Sequence, residues 1–159
     1  MVLVVLGTQD KEFSRLLEAV EEQIKKGVIT EDVIVQAGQT KYNTRRMKVL
    51  DFVSRDDFQE YVRNSNYIIT HGGVGTIIES LDAGKKIIAV PRLKQYGEHE
   101  NDHQLQIIGE FVKRGYILTC SDLSQLGQTI QKLSSFEPKE YQSNNKNFIS
   151  VIRKEIEKR

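Results

Sequence analysis

The stretch His71-Gly72-Gly73-Val74-Gly75-Thr76-Ile77-Ile78-Glu79 holds the residue types that grip a phosphate. It follows the apolar run Tyr67-Ile68-Ile69-Thr70 and opens a segment of helical periodicity. A strand that ends in glycines and turns directly into a helix gathers free main-chain N–H groups at one point. The positive end of the helix dipole coincides with them. Glycine lets the backbone come close to the anion with no side chain between. Glu79 follows Thr76 by three positions, on the same helix face one turn on, where a carboxylate accepts hydrogen bonds from ribose hydroxyls. Phosphate plus diol describes a nucleotide. Close packing alone also uses such glycine turns, and a Glu near a helix start is a common dipole partner, so the segment by itself leaves both readings open.

A second constellation points elsewhere. His99-Glu100-Asn101-Asp102-His103 spells the H-E-x-x-H order of zinc hydrolases, and His71 is the one remaining histidine that would complete a ligand set. That chemistry needs both histidines on one regular helix face. Gly97 upstream and the Asn101-Asp102 pair favour caps and turns, which places a helix start inside the motif. Zinc hydrolysis is therefore carried only as an alternative, and no metal is expected. Cys120 ends an apolar run with no basic neighbour to activate a thiolate, and reads as a small core residue. Lys41, Arg45, Arg46 and Lys48 form a local basic cluster that could meet phosphate or a lipid headgroup, although a solvated loop is the simpler account. Tyr42 and Tyr96 are expected on loops near the site, with no spacing that assigns them a role.

The elements that must position these residues alternate. Val2–Leu6 is a continuous apolar run ending in Gly7-Thr8-Gln9, as a strand buried on both faces requires. Phe13, Leu16, Leu17, Val20 and Ile24 recur at helical spacing, and Gly27 stops them. Strands are expected at Val33–Val35 and Met47–Val53, separated by a polar stretch from Gly38 to Arg46. A helix through Asp56, Phe58, Tyr61 and Val62 leads to the Tyr67–Thr70 strand. Ile77, Ile78 and Leu81 continue as a helix to Gly84, and Lys86–Val90 is a strand closed by Pro91. A loop from Arg92 to about Glu100 precedes a helix through Leu105, Ile108, Phe111 and Val112. A short strand at Tyr116–Thr119 and a helix from Asp122 to about Ser134 follow. Residues 139–159 read as a helical tail with the thin stripe Phe148, Ile149, Ile152 and Ile156.

This alternation predicts an α/β fold, a doubly wound, Rossmann-like parallel sheet with helices on both faces. In such sheets ligands bind beyond the carboxyl ends of the strands. Gly7–Gln9, Gln36–Gly38, His71–Thr76 and Pro91–Gln104 all fall on that rim, which favours a pocket over packing alone. The 159 residues suit a single domain over residues 1–159, with no internal repeat or linker. Twenty-three basic residues against 22 acidic ones leave a net charge of +1, so no global field draws the chain to nucleic acid. The single cysteine fits a reducing compartment, and no apolar run approaches the roughly 20 residues of a membrane span. A cytoplasmic protein is expected, reaching a membrane only through something else.

Three blocks together carry a resemblance. They are Gly7-Thr8, His71–Glu79, and Gly84-Lys85-Lys86-Ile87-Ile88-Ala89-Val90-Pro91 followed by Asn101-Asp102-His103-Gln104. In order and spacing the chain resembles the C-terminal, nucleotide-sugar-binding domain of GT-B glycosyltransferases of family 28, the MurG type. Within that family it is similar to free-standing donor-binding subunits: the PssE type of bacterial exopolysaccharide and capsule transferases, and the catalytic subunit of the eukaryotic split N-acetylglucosaminyltransferase. The resemblance implies that Gly7, Thr8, Gly72, Gly73 and Asn101 belong to the donor site, and that His71 and the N–H groups around Gly75 and Thr76 hold the diphosphate, with His71 assisting its departure. It also implies that Glu79 takes the ribose, and that His103 and Gln104 take the hydroxyls of the donor sugar. Many relatives place Asn or an acidic residue one turn after this block, where this chain has Gln106 and Ile107.

The implied activity is inverting transfer of a hexose, galactose or glucose, from a UDP-sugar to a lipid-linked saccharide acceptor in exopolysaccharide or capsule synthesis. GT-B enzymes generally work without a bound metal, and no cofactor is implied beyond the UDP-sugar substrate. No residue announces itself as the base on the acceptor. The resemblance therefore implies a membrane-anchored, acceptor-binding partner that supplies it and holds this chain at the cytoplasmic membrane. The Phe148–Ile156 stripe would serve as a docking surface or cap the chain's own sheet. In the last 21 residues, Lys139, Lys146, Arg153, Lys154, Lys158 and Arg159 outnumber the acidic groups, which suits an anionic surface or a solvated face. The alternative within the same pocket is a non-catalytic, nucleotide-sugar-binding regulatory subunit.

Overall fold

The computed structural model describes residues 1–98, 103–142 and 146–157. Among these, the order is β1 (Val2–Val5), α1 (Ser14–Lys25), β2 (Val33–Gln36), β3 (Lys48–Leu50), α2 (Arg55–Asn64), β4 (Tyr67–Thr70) and α3 (Val74–Asp82). There follow β5 (Lys86–Ala89), α4 (His103–Lys113), β6 (Leu118–Thr119), α5 (Leu126–Lys132) and α6 (Lys146–Glu157). All neighbouring strands pair in parallel, in the order β3-β2-β1-β4-β5-β6. The chain starts in the middle of the sheet, winds outward through β2 and β3, and returns to β4 on the other side of β1. Winding reverses between β1 and β4, so the connections leaving these two strands diverge to opposite faces and open a crevice between them.

Alternating strand residues explain how the faces are filled. Val2, Val4 and Leu6 pack with Leu16, Leu17 and Val20 of α1 and Leu126 and Ile130 of α5. Leu3 and Val5 face the other way, onto Val62 of α2. Farther along that second face, Ile87 and Ala89 meet Ile77 of α3 and Ile107, Ile108 and Phe111 of α4. Strands covered on both sides must be apolar throughout, which is why β1 and β4 read as uninterrupted runs. Each fully buried Val, Leu or Ile contributes roughly 1.5–3 kcal/mol of transfer free energy.

Three elements depart from the sequence reading. Strand β3 is confined to Lys48–Leu50, because the chain leaves the sheet to start α2, where the Ser54 hydroxyl accepts from the Asp57 N–H at 3.1 Å. Single bonds still tie that exit to the rim: the Ala37 N–H donates to the Leu50 carbonyl and the Gly38 N–H to the Asp51 carbonyl, both at 2.7 Å. The expected strand at Tyr116–Thr119 shortens to Leu118–Thr119, and the helix from Asp122 begins as a 3₁₀ turn, Leu123–Gln125, before α5. No helix connects β2 to β3. The loop between them is pinned to α1 instead, with Tyr42 Oη and Thr44 Oγ1 both donating to the Glu21 carboxylate and Thr40 Oγ1 accepting from the Phe13 N–H.

Helix α6 lies on α4. Phe148 and Ile152 are buried, and the Phe148 ring meets Phe111 and Tyr116 edge-on at 4.9 and 5.1 Å. Half of the tail's stripe thus caps the chain's own helical layer, while Ile156 stays exposed. No described helix is long and apolar enough to cross a membrane.

Candidate functional site

The crevice between β1 and β4 is a cleft of ≈ 470 Å³. Its floor comes from two strand exits: Gly7, Thr8 and Gln9 after β1, and His71, Gly73, Gly75 and Thr76 after β4. Its far wall is Gln36 from β2 together with Phe52, Val53, Arg55 and Phe58 from the β3–α2 segment. No carboxylate is among the described residues that line it. An adjoining groove of ≈ 610 Å³ shares Arg55, Gly75 and Thr76 and continues along α3 to Glu79 and Asp82.

His71 occupies the centre of the floor and is buried. Its N–H donates to the Val5 carbonyl at 2.9 Å, the last bond between the two strands, which fixes where the side chain starts. Two glycines then make room for the ring. A Cβ on Gly7 would lie 2.6 Å from His71 Cε1 and Nε2, and one on Gly73 would lie 2.7 Å from Nε2. The imidazole is held between two backbones that approach it because neither carries a side chain. Gly72, with φ +92°, turns the chain toward α4, and a Cβ there would meet Ile108 Cδ1 at 2.4 Å.

Two helices open onto this rim and are finished differently. Helix α2 has its Ser54 cap and two acidic residues, Asp56 and Asp57, in its first turn. Helix α3 begins after Gly73, which offers no capping side chain, and has no acidic residue in its first turn. The first α-helical bond runs from the Ile77 N–H to the Gly73 carbonyl at 3.1 Å. The N–H groups of Val74, Gly75 and Thr76 precede that bond, at the positive end of the dipole. Beside them stands the exposed guanidinium-bearing Arg55, common to both cavities. The arrangement suits an anion.

The predicted site residues fall into groups. Gly7, Thr8, His71, Gly73, Gly75 and Thr76 share the cleft. Glu79 lies in the adjoining groove, reached past Thr76. Gly72 packs under α4. Gln104 is buried, and its Oε1 accepts from the Arg92 N–H at 3.0 Å, so that oxygen is committed to holding the β5–α4 connection. Asn101 and the alternative zinc ligand His99 lie outside the described residues, as does the side chain of His103, whose backbone opens α4.

The sequence reading missed the far wall. Phe52 and Val53 form the end of the expected Met47–Val53 strand, yet Phe52 is 55% exposed at the cleft mouth. The available signal was Ser54 followed by Asp56-Asp57, a capped helix start that ends the strand earlier. Also missed was a charge network behind the rim. Arg92 is fully buried, and desolvation lowers its pKa to about 10 against the opposing influence of Glu98 and Asp10, so it stays charged at neutral pH. Glu98 is buried too, and Arg15 donates to both its oxygens at 2.9 Å.

A doubly wound parallel sheet with an uncapped helix start at its switch point places the chain in the Rossmann-like α/β class. Across residues 1–159 the chain matches the glycosyltransferase family 28 C-terminal domain, and it belongs to that family. It is 29% identical over 131 residues to the UDP-N-acetylglucosamine transferase subunit ALG13 of Debaryomyces hansenii, covering 80% of this chain and 58% of the relative. The Saccharomyces cerevisiae ALG13 is 31% identical over 77 residues, covering 48% of this chain and 36% of that one. The chain thus spans little more than half the length of the first of these relatives. Among solved structures, the NMR structure of ALG13 superposes with a TM-score of 0.61 at 21% identity, covering 95% of this chain and 94% of that one. The Methanocaldococcus jannaschii UDP-GlcNAc 2-epimerase, solved with UDP-GlcNAc and UDP, gives 0.63 at 16% identity over 96% of this chain and 44% of the epimerase. The glycosyltransferase SnogD of Streptomyces nogalater gives 0.59 at 16% identity, over 98% and 39%. These structures share the fold.

Proposed function

We propose that this chain is the donor-binding half of an inverting, UDP-sugar-dependent glycosyltransferase. The observation that carries the reading is the uncapped start of α3 beside His71, set between two glycines at the switch point of the sheet. The diphosphate rests on the N–H groups of Val74 to Thr76, with Arg55 beside it. The base lies along the apolar wall of Phe52, Val53 and Phe58. The ribose turns into the adjoining groove toward Glu79. Family membership and the relatives named UDP-N-acetylglucosamine transferase subunit support the donor class.

In the reaction an acceptor hydroxyl attacks the anomeric carbon from the face opposite UDP. The bond from that carbon to the β-phosphate oxygen breaks, its electron pair leaves with UDP, and the hydroxyl proton passes to a base. Fixed N–H donors, the helix dipole, Arg55 and His71 receive the charge that develops on UDP, without a metal. Donors of this kind can each lower the barrier by about 3 kcal/mol. No carboxylate among the described residues lines the cleft, which suits a diphosphate and leaves the acceptor's base to another surface.

That surface belongs, in this reading, to a membrane-anchored partner that binds a lipid-linked saccharide. The sugar is a hexose, galactose or glucose, and the setting is exopolysaccharide or capsule synthesis on the cytoplasmic face of the membrane. A radiolabelled transfer assay with UDP-galactose, UDP-glucose and UDP-N-acetylglucosamine, each with and without the partner, tests every part. Turnover only with both proteins supports the split enzyme. Donor binding without turnover in any combination supports a regulatory subunit, and no binding of any UDP-sugar overturns both.

A further inference from the structure

Arg92 continues the inward-facing series Ile88, Val90 on the α1 side of β5, yet it is an arginine and is 1% exposed. Its guanidinium crosses above β4 to the exit of β1, one strand beyond its own neighbour. There Nη2 donates to the Leu6 carbonyl at 2.6 Å, and Nη1 donates to the Lys11 carbonyl at 2.6 Å and to the Glu98 carbonyl at 3.3 Å. The guanidinium also lies 5.0 Å from the Phe13 ring centre. All three acceptors are main-chain carbonyls of loops, so the group fixes backbone geometry rather than closing an ion pair. Its own N–H holds Gln104 of α4, on the opposite face of the sheet. The loop it sits in is clipped a second time: Glu98 accepts from Arg15 of α1 and from the Leu93 N–H at 3.1 Å.

Leu6 immediately precedes Gly7, whose backbone is one of the two surfaces against the His71 ring. Gln104 and Ile108 are the α4 groups beside Gly72. The buried side chain therefore ties the β1 exit to the loop after β5, and the main-chain N–H of the same residue separately holds the start of α4; these segments surround the β4 turn. We propose that Arg92 is the positioning residue of the donor cleft, its side chain acting through the Leu6 carbonyl to set the gap that holds His71 and the diphosphate. This rests on the donor-binding reading above. Arginine is suited to the task because its planar fork presents donors in two directions at once, whereas lysine offers one compact centre.

The full chain is titrated by calorimetry with uridine, UMP and UDP, comparing wild type with Arg92→Lys, Arg92→Met and Arg15→Gln. UDP affinity should fall at least tenfold in Arg92→Met and less in Arg92→Lys, while uridine, held by the far wall, changes less than threefold. Arg15→Gln, which leaves Arg92 and its carbonyls in place, should weaken UDP about threefold and keeps the test alive should Arg92→Met fail to fold. Folded Arg92 variants that bind UDP within twofold of wild type overturn the proposal, as does an equal loss for uridine and UDP, which a general loosening of structure would give. Hydrogen exchange in the ligand-free protein supplies an independent arm: Arg92→Lys should raise exchange at residues 7–12 and leave residues 104–108, β2 and α2 unchanged. Unchanged exchange at residues 7–12 also overturns it. Wild type that binds no nucleotide sinks the donor reading, and the exchange arm then still decides whether Arg92 joins the loops.

Discussion

Gly73→Ala perturbs the candidate site through a single methyl group. Gly73 has φ −64° and ψ 133°, a conformation open to any residue, so alanine adds no backbone strain there. The added Cβ would stand 2.7 Å from His71 Nε2, roughly 0.7 Å short of ordinary contact. The ring cannot retreat, because Gly7 closes on its other side. Either the imidazole leaves its slot or the start of α3 shifts outward. Overpacking of this kind costs about 1–3 kcal/mol, and for a chain of this size each kcal/mol lowers Tm by about 2–4 °C. Displacing the N–H groups of α3 should also weaken UDP binding about tenfold, equivalent to about 1.4 kcal/mol. Thermal melting and calorimetric titration read the two effects separately. Gly84→Ala is the matched control: its φ of +72° makes alanine costly, but nothing lies within 4 Å of the added Cβ. That variant should lose stability and keep its UDP affinity. If Gly73→Ala melts and binds like wild type, the ring is not confined as the structure has it, and the anion cradle loses its support.

Other perturbations separate the parts of the site. Phe52→Ala should leave Tm nearly unchanged, because the ring is 55% exposed, while uridine, UMP and UDP all bind several-fold more weakly; undiminished uridine binding would remove the base from that wall. Glu79→Ala should weaken UDP about fivefold and leave 2′,3′-dideoxy-UDP unaffected, so equal losses would refute the ribose assignment. Transfer activity reconstituted with the partner should persist in excess EDTA; its abolition and restoration by a divalent metal would overturn the metal-free account. In the Tyr42–Glu21 pair, burial and then the carboxylate raise the phenol to about 12 in the folded state. A raised folded pKa gives stability that is whole below pH 10 and disappears between pH 10 and 12. The fall of Tm across that window should be smaller in Tyr42→Phe, and identical falls would show that the pair contributes nothing.

What the sequence made legible was set by how local the determining interactions are. β1 and β4 are readable because burial on both faces leaves short, mostly apolar runs, and the turn at His71–Gly75 because a glycine cluster between such a run and a helical pattern marks a strand-to-helix turn. Gln104 was placed in the right part of the chain, but its Oε1 is committed to the Arg92 N–H, twelve residues away in sequence. Spacing carries no sign of that partner. In the sequence Arg92 and Glu98 are two members of a rim loop with no assigned role, and only the fold shows that three carbonyls and Arg15 receive them. Phe52 was misplaced because an apolar run gives a strand's existence more reliably than its end. The α6 stripe has the same pattern whether it meets its own chain or a partner, and only the fold shows Phe148 and Ile152 buried against α4 with Ile156 left exposed.

The two helices on the rim show what the chain gives up for the cleft. A Ser, Thr, Asp or Asn cap adds about 1 kcal/mol, and α2 has one at Ser54 together with two first-turn acids. α3 has neither, although its start also lines the cleft. It is held instead by its middle, where Ile77 is fully buried, as is Ser80 one turn later. Nor could a capping side chain be added at Gly73 without expelling the imidazole, since even a methyl group meets it. The helix start is therefore stabilised from behind and left open in front. In the donor-binding reading a ligand anion supplies what the cap would have given, so UDP should raise the protection of the α3 amides against exchange more than those of α2. Equal protection of the two helices would mean that the anion sits elsewhere on the rim.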